Sequence, residues 1–495
     1  MTVDSLASAL LYGFSVFIFV YFVVANGAYL TVHVSSLFKL RRLLDARSFE
    51  STYQKFGSPF LPGIAIVVPA YNEVSVIVPS VRSFLDLEYP DSEVIVVNDG
   101  STDPTLDRLA EAFDLEPVPA DPPWELPCEP VRDVYRSQRH DQLTVIDKEN
   151  GGKADALNAG VFLTEQPLFC AVDADSIIER DALLNVVQPF LEDPKRVVAT
   201  GGVVRVANGC SIADSVVESV RLSDSPLVGL QAMEYMRAFL AGRIGLSSLR
   251  SLMIISGAFG VFDTQIVRNV GGYDTETATE DMDLVVRLHR YLLEYDREYR
   301  VEFVPDPVIW TEVPETRTAL SKQRRRWHRG LFQTLWRHRQ MLGRREYGVV
   351  GLVALPFFLL IEGLGPLIEG TGYVVILAAF AFGIVSAEFY AAFLVFAIVF
   401  GTLLSWLSVF SEVISYRRYE RPIDIIKLLG YGVLENVGYR QWRTIVLWRG
   451  FLEFLRGTDS WGEMTRVGFD EESARADDRP SRATAASEQR RQSDS

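Results

Sequence analysis

Hydrophobic positions in this chain fall into long apolar runs near its ends and shorter, alternating runs in its middle. Residues 6–37 (LASALLYGFSVFIFVYFVVANGAYLTVHVSSL) contain no Asp, Glu, Lys or Arg. The run is longer than a signal-peptide core, lacks a basic leader, and can cross a bilayer core of about 30 Å. Asp4 precedes it, and Lys39, Arg41, Arg42 and Arg47 follow. Basic residues favour the cytosolic side, so the N-terminus is expected outside and the chain enters the cytosol near residue 40. A second apolar stretch covers residues 347–415, with Pro356, Glu362, Pro366, Glu369 and Glu388 among its interruptions. Its length fits two spans plus a re-entrant or interfacial piece, or three spans. Both flanks are basic, at residues 324–345 and at Arg417, Arg418 and Arg421. An even number of crossings keeps both flanks in the cytosol, and two are expected. Glu362 is costly in a membrane if unpaired, so it is expected to face protein or a polar path.

The middle of the chain alternates strand and helix patterns from residue 60 to about 315. Apolar runs at 64–68, 94–97, 143–146 and 168–172 read as buried strands, and residues 75–87 read as a helix. Continuous apolar strands alternating with helices predict an α/β fold with a mostly parallel sheet covered on both faces. Residues 114–142 are rich in Pro and charge and read as a surface insertion. Residues 211–243 read as an amphipathic helix broken near Ser225-Pro226, with Met233, Tyr235, Met236, Phe239 and Leu240 beside Arg237 and Arg243. Such a helix either lies on the membrane surface, which is the expectation here, or packs on the domain.

The expected divisions are an N-terminal transmembrane helix at 1–40, a cytosolic α/β domain at 41–330, and a basic juxtamembrane segment at 331–346. Transmembrane helices follow at 347–416. Residues 417–469, which include Arg440, Arg443 and Arg449, read as interfacial helices or a further span. The tail at 470–495 is polar, has no aromatic residue and reads as disordered.

Composition narrows the partners. The chain has 495 residues and a net charge of −15, which argues against nucleic acid as a partner. The three cysteines, Cys128, Cys170 and Cys210, are far apart and odd in number, so neither a disulfide framework nor a zinc site is expected.

The candidate chemistry sits where strands end. Leu168-Phe169-Cys170-Ala171-Val172 runs into Asp173-Ala174-Asp175. Asp disfavours strands, so the pair falls in the loop at the strand's C-terminal end, where open α/β sheets bind ligands. Two carboxylates so close repel each other unless a cation lies between them, and their hard oxygens suit Mg²⁺ or Mn²⁺. A loop with an Asp helix cap fits the same residues. Tyr71, Asn72 and Glu73 close the first strand and can flank a base and ribose, or form an ordinary turn. Asp99, in Asn98-Asp99-Gly100-Ser101-Thr102-Asp103, can accept from a nucleobase or ribose, or serve a capping loop. Asn150-Gly151-Gly152-Lys153 opens a helix whose N-terminus and lysine favour an anion, without the Walker A pattern. Glu280 and Asp281 start another helix, where a carboxylate is favoured by the helix dipole and can also act as a general base. Gln323-Arg324-Arg325-Arg326-Trp327 precedes the membrane segment; clustered Arg can clamp a diphosphate, and a Trp can stack on a sugar. The same charges also read as a positive-inside flank.

Taken in order, Asp-x-Asp, Glu-Asp and Gln-Arg-Arg-Arg-Trp make the sequence resemble the membrane-bound family 2 inverting glycosyltransferases. That group includes the cellulose, chitin, hyaluronan and poly-N-acetylglucosamine synthases. The resemblance covers residues 60–330 and, more loosely, the flanking spans. It implies the GT-A fold, a nucleotide-diphospho-sugar domain. By motif, it implies that Tyr71, Glu73, Asp99 and Lys153 hold a uridine diphosphate. Asp173 and Asp175 would lie beside the diphosphate and its Mg²⁺ or Mn²⁺, with Asp175 the direct ligand. Asp281 would be the base, next to Glu280. Gln323, Arg324, Arg326 and Trp327 would cover donor and acceptor, and the segment with Gly257 would shape the acceptor site. The chain departs from cellulose synthases in having one N-terminal span and no fused regulatory domain.

The function implied is transfer of a sugar from a UDP-sugar to a growing β-linked polysaccharide at the cytosolic face of the cell membrane. No motif reads the sugar's 2-position, so UDP-N-acetylglucosamine and UDP-glucose stand side by side as donors. Transfer of one sugar to a lipid such as a polyprenyl phosphate is the alternative within enzymes. A non-catalytic sugar-nucleotide-binding scaffold and a transporter are more distant readings, and the intact Asp281 argues against the scaffold.

Overall fold

The computed structural model describes residues 3–47, 61–118, 128–213, 216–416 and 418–457. The expected disordered tail, the middle of the Pro-rich insertion at 119–127, and Arg417 lie outside the described residues.

Continuous apolar runs make the central strands. They are β1 (Ile64–Ala70), β2 (Ser92–Asp99), β3 (Leu115–Val118), β4 (Val131–Ser137), β5 (Leu143–Lys148), β6 (Leu168–Val172) and β7 (Ile177–Ile178). Then come β8 (Val197–Val206), the small hairpin β9 (Ser211–Ala213) and β10 (Val216–Ser219), β11 (Phe259–Asp263) and β12 (Arg300–Thr311). Ten of them form one sheet in the order β3-β4-β5-β2-β1-β6-β11-β8-β12-β7. Strands β5, β2, β1 and β6 are mutually parallel, as are β8 and β12. Only β4, β11 and β7 run against the common direction, so the sheet is mixed and mostly parallel. Helices cover it, among them Ile77–Leu85, Lys153–Leu163 and Ala182–Glu192. Val67 in β1 and Phe169 and Cys170 in β6 are fully buried, which explains their unbroken apolar character.

The register brings the site to one edge. Ala70 pairs with Asn98, Asp99 pairs with Lys148, and Ile64–Val67 align with Leu168–Ala171. Strands β1, β2 and β6 therefore end side by side, with Asp99 closing β2 and Tyr71 and Asp173 following β1 and β6. Antiparallel β11 starts beside the end of β6, Phe259 opposite Val172, and so delivers Gly257 to the same edge.

The structure adds detail to two local expectations. The insertion at 114–142 contributes the edge strand β3 and its inner neighbour β4, in which Val134 and Ser137 are buried while Arg132, Asp133 and Arg136 are exposed. The amphipathic segment begins as a hairpin; its helix starts at Pro226, whose fixed φ suits a first helical position. That helix and its π-helical continuation pack on the apolar helices. The Ser36 hydroxyl donates to the Leu240 carbonyl at 2.7 Å, and Arg237 reaches Ser405 at 2.9 Å.

Three helices among the described residues are long and apolar enough to cross a membrane: Ala9–Leu43, Val350–Ala381 and Ala387–Ser415. After them come helices Pro422–Leu434 and Arg440–Leu455, separated by a kink at Val437 and Gly438. Glu362 faces protein, accepting from the Tyr29 hydroxyl of the first helix at 3.0 Å.

A buried ion pair fastens the sheet to the last apolar helix. Arg205, on β8, meets both carboxylate oxygens of Glu412 at 3.0 and 2.6 Å, and both side chains are almost fully buried. Removing one partner strands the other charge away from water. Glu412→Ala is expected to cost about 3–5 kcal/mol, read as a lower thermal midpoint in detergent. Adding Arg205→Met is expected to restore most of that loss, because both charges are then gone.

Candidate active site

The site is built on the carboxyl edge of β1, β2 and β6. Asn72 adopts a left-handed conformation, φ 56°, and its side-chain oxygen accepts from the Thr102 and Asp103 amides at 2.8 and 3.2 Å. This ties the turn after β1 to the turn after β2. Tyr71 projects from it, 45% exposed, as a free face for stacking.

Asp99 is buried and engaged within the protein. Its carboxylate accepts from the Gly151 amide at 3.0 Å, the Gly152 amide at 2.7 Å and Lys148 Nζ at 2.8 Å. It thereby shapes the loop that opens helix Lys153–Leu163. Lys148 is fully buried and also pairs with Asp155, whose carboxylate accepts from the Glu129 amide. Gly152 has φ 88° and ψ 172°, a region open essentially to glycine. A Cβ on Gly151 would lie 2.4 Å from the Asp155 carboxylate.

Lys153, first in that helix, joins the remaining pieces. Its ammonium lies 2.5 Å from Asp173, 3.5 Å from Glu280, and donates to the Gly257 carbonyl at 2.7 Å. Burial works against its charge, but Asp173 and Glu280 outweigh burial and hold its pKa above the ordinary lysine value. Asp281 sits in the first turn of helix Glu280–Glu294 and accepts from the Met282 amide at 2.8 Å. Burial, with the neighbouring Glu280 charge, raises its pKa to about 6. That is a carboxylate poised to take a proton near neutral pH.

Helix Arg317–Arg337 carries the Arg-rich motif, its first turn capped by Thr316 accepting from the Ala319 amide. Arg324 donates to Gln323 at 3.1 Å and to Glu234 at 2.6 Å, and its guanidinium lies 4.4 Å over the Trp327 ring. Glu234 also accepts from Arg443 at 2.7 Å. Burial opposes its charge, yet the two guanidinium groups overcome it and lower its pKa to about 2.

All these residues line one cavity of about 2070 Å³: Tyr71, Glu73, Asp99, Lys153, Asp173, Asp175, Gly257, Glu280, Asp281, Gln323, Arg324, Arg326 and Trp327. The cavity continues between the apolar helices, past Tyr29 and Glu362, to Phe393, Ala397 and Gly401. Lys148, Asp155 and Glu234 were not singled out by motif. The nearest signal was the scarcity of lysine, with Lys148 and Lys153 close together.

Asp173 and Asp175 supply hard oxygen donors, and no cluster of three or more His, Cys, Asp or Glu side chains among the described residues is arranged for a metal. This donor set fits an ion that takes its other ligands from phosphate and water, as Mg²⁺ does.

The fold and the site define a nucleotide-sugar-type α/β domain fused to apolar helices. Residues 65–126 match the family described as glycosyl transferase family 2, and residues 127–330 match that described as glycosyltransferase like family 2. The chain belongs to the family 2 glycosyltransferases. It is 29% identical over 276 residues to a poly-beta-1,6-N-acetyl-D-glucosamine synthase of Staphylococcus epidermidis. It is 31% identical over 280 residues to the protein of that description from Staphylococcus aureus (strain COL). Each match covers 56% of this chain and 56% of the relative, so the chain matches about half the length of these curated relatives. Among solved structures, a mannosyltransferase from Pyrobaculum calidifontis in complex with GDP-Man and Mn²⁺ is 19% identical, with a TM-score of 0.47. That match covers 84% of this chain and 99% of the other, a likeness too distant to carry residue roles across.

Gly152→Ala forces a side chain into a backbone region that resists it. The expected loss is about 1–3 kcal/mol of stability, read by thermal unfolding, with helix content retained.

Proposed function

We propose that the protein is an inverting glycosyltransferase that moves a sugar from a UDP-sugar, N-acetylglucosamine or glucose, onto a growing β-linked polysaccharide. The observation that carries this reading is the single cavity. One wall holds Lys153, Asp173 and Asp281, and the other end lies among the apolar helices. A volume of about 2070 Å³ exceeds the ~300–1,000 Å³ of an ordinary ligand pocket, which leaves room for donor and chain together. The basic flanks of the apolar helices support a multi-pass protein of the cell membrane with its α/β domain in the cytosol.

In this reading Tyr71 stacks on the base and Glu73 reaches the nucleoside. Asp99 acts by shaping the Asn150–Gly152 loop around it. The Gly152–Lys153 helix start and the Lys153 ammonium face the diphosphate, where backbone N–H groups and positive charge favour an anion. Asp173 and Asp175 hold Mg²⁺ or Mn²⁺, which supplies charge stabilisation to the departing diphosphate. Asp281 takes the proton from an acceptor hydroxyl. The freed oxygen bonds to the anomeric carbon as the bond to the diphosphate breaks on the opposite face. UDP leaves, and the α-linked donor becomes a β-glycoside. Glu280 keeps Lys153 beside this centre. Gln323, Arg324, Arg326 and Trp327 close over donor and acceptor, with Glu234 fixing Arg324.

UDP release from purified protein with Mg²⁺ or Mn²⁺ and a panel of UDP-sugars, followed by product sizing, tests the reading. One productive donor and a long polymer are expected. A short, lipid-extractable product would instead identify transfer to a lipid acceptor, and the absence of release even with added membrane extract would contradict transfer.

Asp281→Asn is expected to lower turnover by about 10²–10⁴ while UDP binding stays near the wild-type value. Loss of both together would remove Asp281 from the base role.

The base works only when deprotonated, and its pKa is raised to about 6. Turnover should therefore fall as pH drops through 6, approaching roughly tenfold per pH unit below it. A flat rate down to pH 4.5 would contradict the assignment.

A further inference from the structure

The cavity wall beside Asp281 carries a guanidinium that belongs to none of the motifs. Helix Pro226–Tyr235 continues through a π-helical turn, Met236–Arg243, into helix Ile244–Ser248. Such turns are rare and occur often at functional sites. Arg243 closes this one. Its guanidinium carbon lies 3.8 Å over the Phe239 ring, a contact that holds the group in place. Arg243 lines the cavity together with Tyr235, Asp281 and Glu362.

What distinguishes Arg243 is the lack of a matched acceptor. Among the described residues none hydrogen-bonds or ion-pairs with it, and its Nε is buried without a partner. Nearby arginines are matched: Arg237 with Glu435 at 2.5 Å, Arg324 and Arg443 with Glu234, and Arg440 with Glu369 at 2.6 Å. A sheltered donor left unsatisfied is costly, more so when charged. A guanidinium held over a ring and facing open space is pre-organised for ligand oxygens.

Its place narrows the ligand. Arg243 lines the same cavity as Asp281 and Glu362, and the charges of both carboxylates act on it. The donor diphosphate belongs with Lys153 and Asp173. The acceptor must put a hydroxyl on Asp281 and run its remaining length toward those helices. We propose that Arg243 binds the terminal sugar of the acceptor chain, donating to its hydroxyl or amide oxygens and orienting the attacking hydroxyl toward Asp281. This rests on the transferase reading above and adds a residue that sets acceptor affinity.

The test uses full-length protein in detergent, saturated with UDP and titrated with β-linked oligosaccharides of glucose and of N-acetylglucosamine. Arg243→Ala should weaken oligosaccharide binding by about 10–100-fold, with UDP affinity and thermal midpoint unchanged. Arg243→Lys should recover part of the loss, since a single ammonium replaces a forked donor. In turnover, the acceptor KM should rise while the KM for the UDP-sugar stays near the wild-type value. Unchanged oligosaccharide affinity in Arg243→Ala overturns the inference. So does a parallel loss of UDP affinity and stability, which is the mark of a structural role. So does a wild-type protein that binds a polyprenyl phosphate and no oligosaccharide. The binding titration needs no turnover, so a wild type that releases no UDP from any donor counts against the transferase reading while the titration still decides Arg243.

Discussion

Lys153 stands 2.5 Å from Asp173, 3.5 Å from Glu280 and 2.7 Å from the Gly257 carbonyl. Those three partners come from the end of β6, the start of helix Glu280–Glu294, and the approach to β11. Without the ammonium, Asp173, Asp175, Glu280 and Asp281 would crowd one cavity wall as like charges that repel one another. With it, they converge while the sheet ends that carry them stay in register. The loop that presents Lys153 depends in turn on Asp99, whose carboxylate holds the Gly151 and Gly152 amides. Lys148 balances Asp99 from inside the protein. The site is thus two nested charge clusters, a buried one that shapes a loop and a cavity-facing one that uses it.

A second layer of charge connects this centre to the apolar helices. Glu234 joins Arg324 of the Arg-rich helix to Arg443 of helix Arg440–Leu455. Arg205 and Glu412 join the sheet to helix Ala387–Ser415. Such pairs contribute little net stability when compared with apolar packing, but each is expensive to break from one side. They therefore specify one arrangement of domain and helices, and that arrangement leaves the cavity continuous.

Much of this was legible in the sequence because the relevant features are local. Unbroken apolar runs such as Ile64–Val68 and Leu168–Val172 announced buried strands, and carboxylates directly after them announced the edge where ligands bind. The apolar helices were legible from length and the absence of charge. What stayed hidden depends on contacts between distant positions. Glu234 meets residues 90 and 209 positions away, and nothing in its local pattern sets it apart from a surface acid. Lys148 lies just past the apolar run at 143–146 with nothing local to mark it, and only the β2–β5 register puts it against Asp99. What covers residues 226–243 stayed hidden for a related reason. An amphipathic pattern records that one face is covered, and the cover here is protein, including the Ser36 and Ser405 side chains. Strands β3 and β4 were masked by the prolines and charges around them.

The central claim is that one cavity joins the chemistry to the membrane and holds the growing chain. The most direct measurement is photocrosslinking during synthesis from a radiolabelled UDP-sugar. A photoreactive residue at Ala397 lines the cavity among the apolar helices, and one at Val399, 51% exposed on the same helix, serves as the outward control. The account predicts labelled polymer captured at position 397, dependent on Asp281, and none at 399. Equal labelling at both positions, or none at 397 while long polymer accumulates, would contradict it.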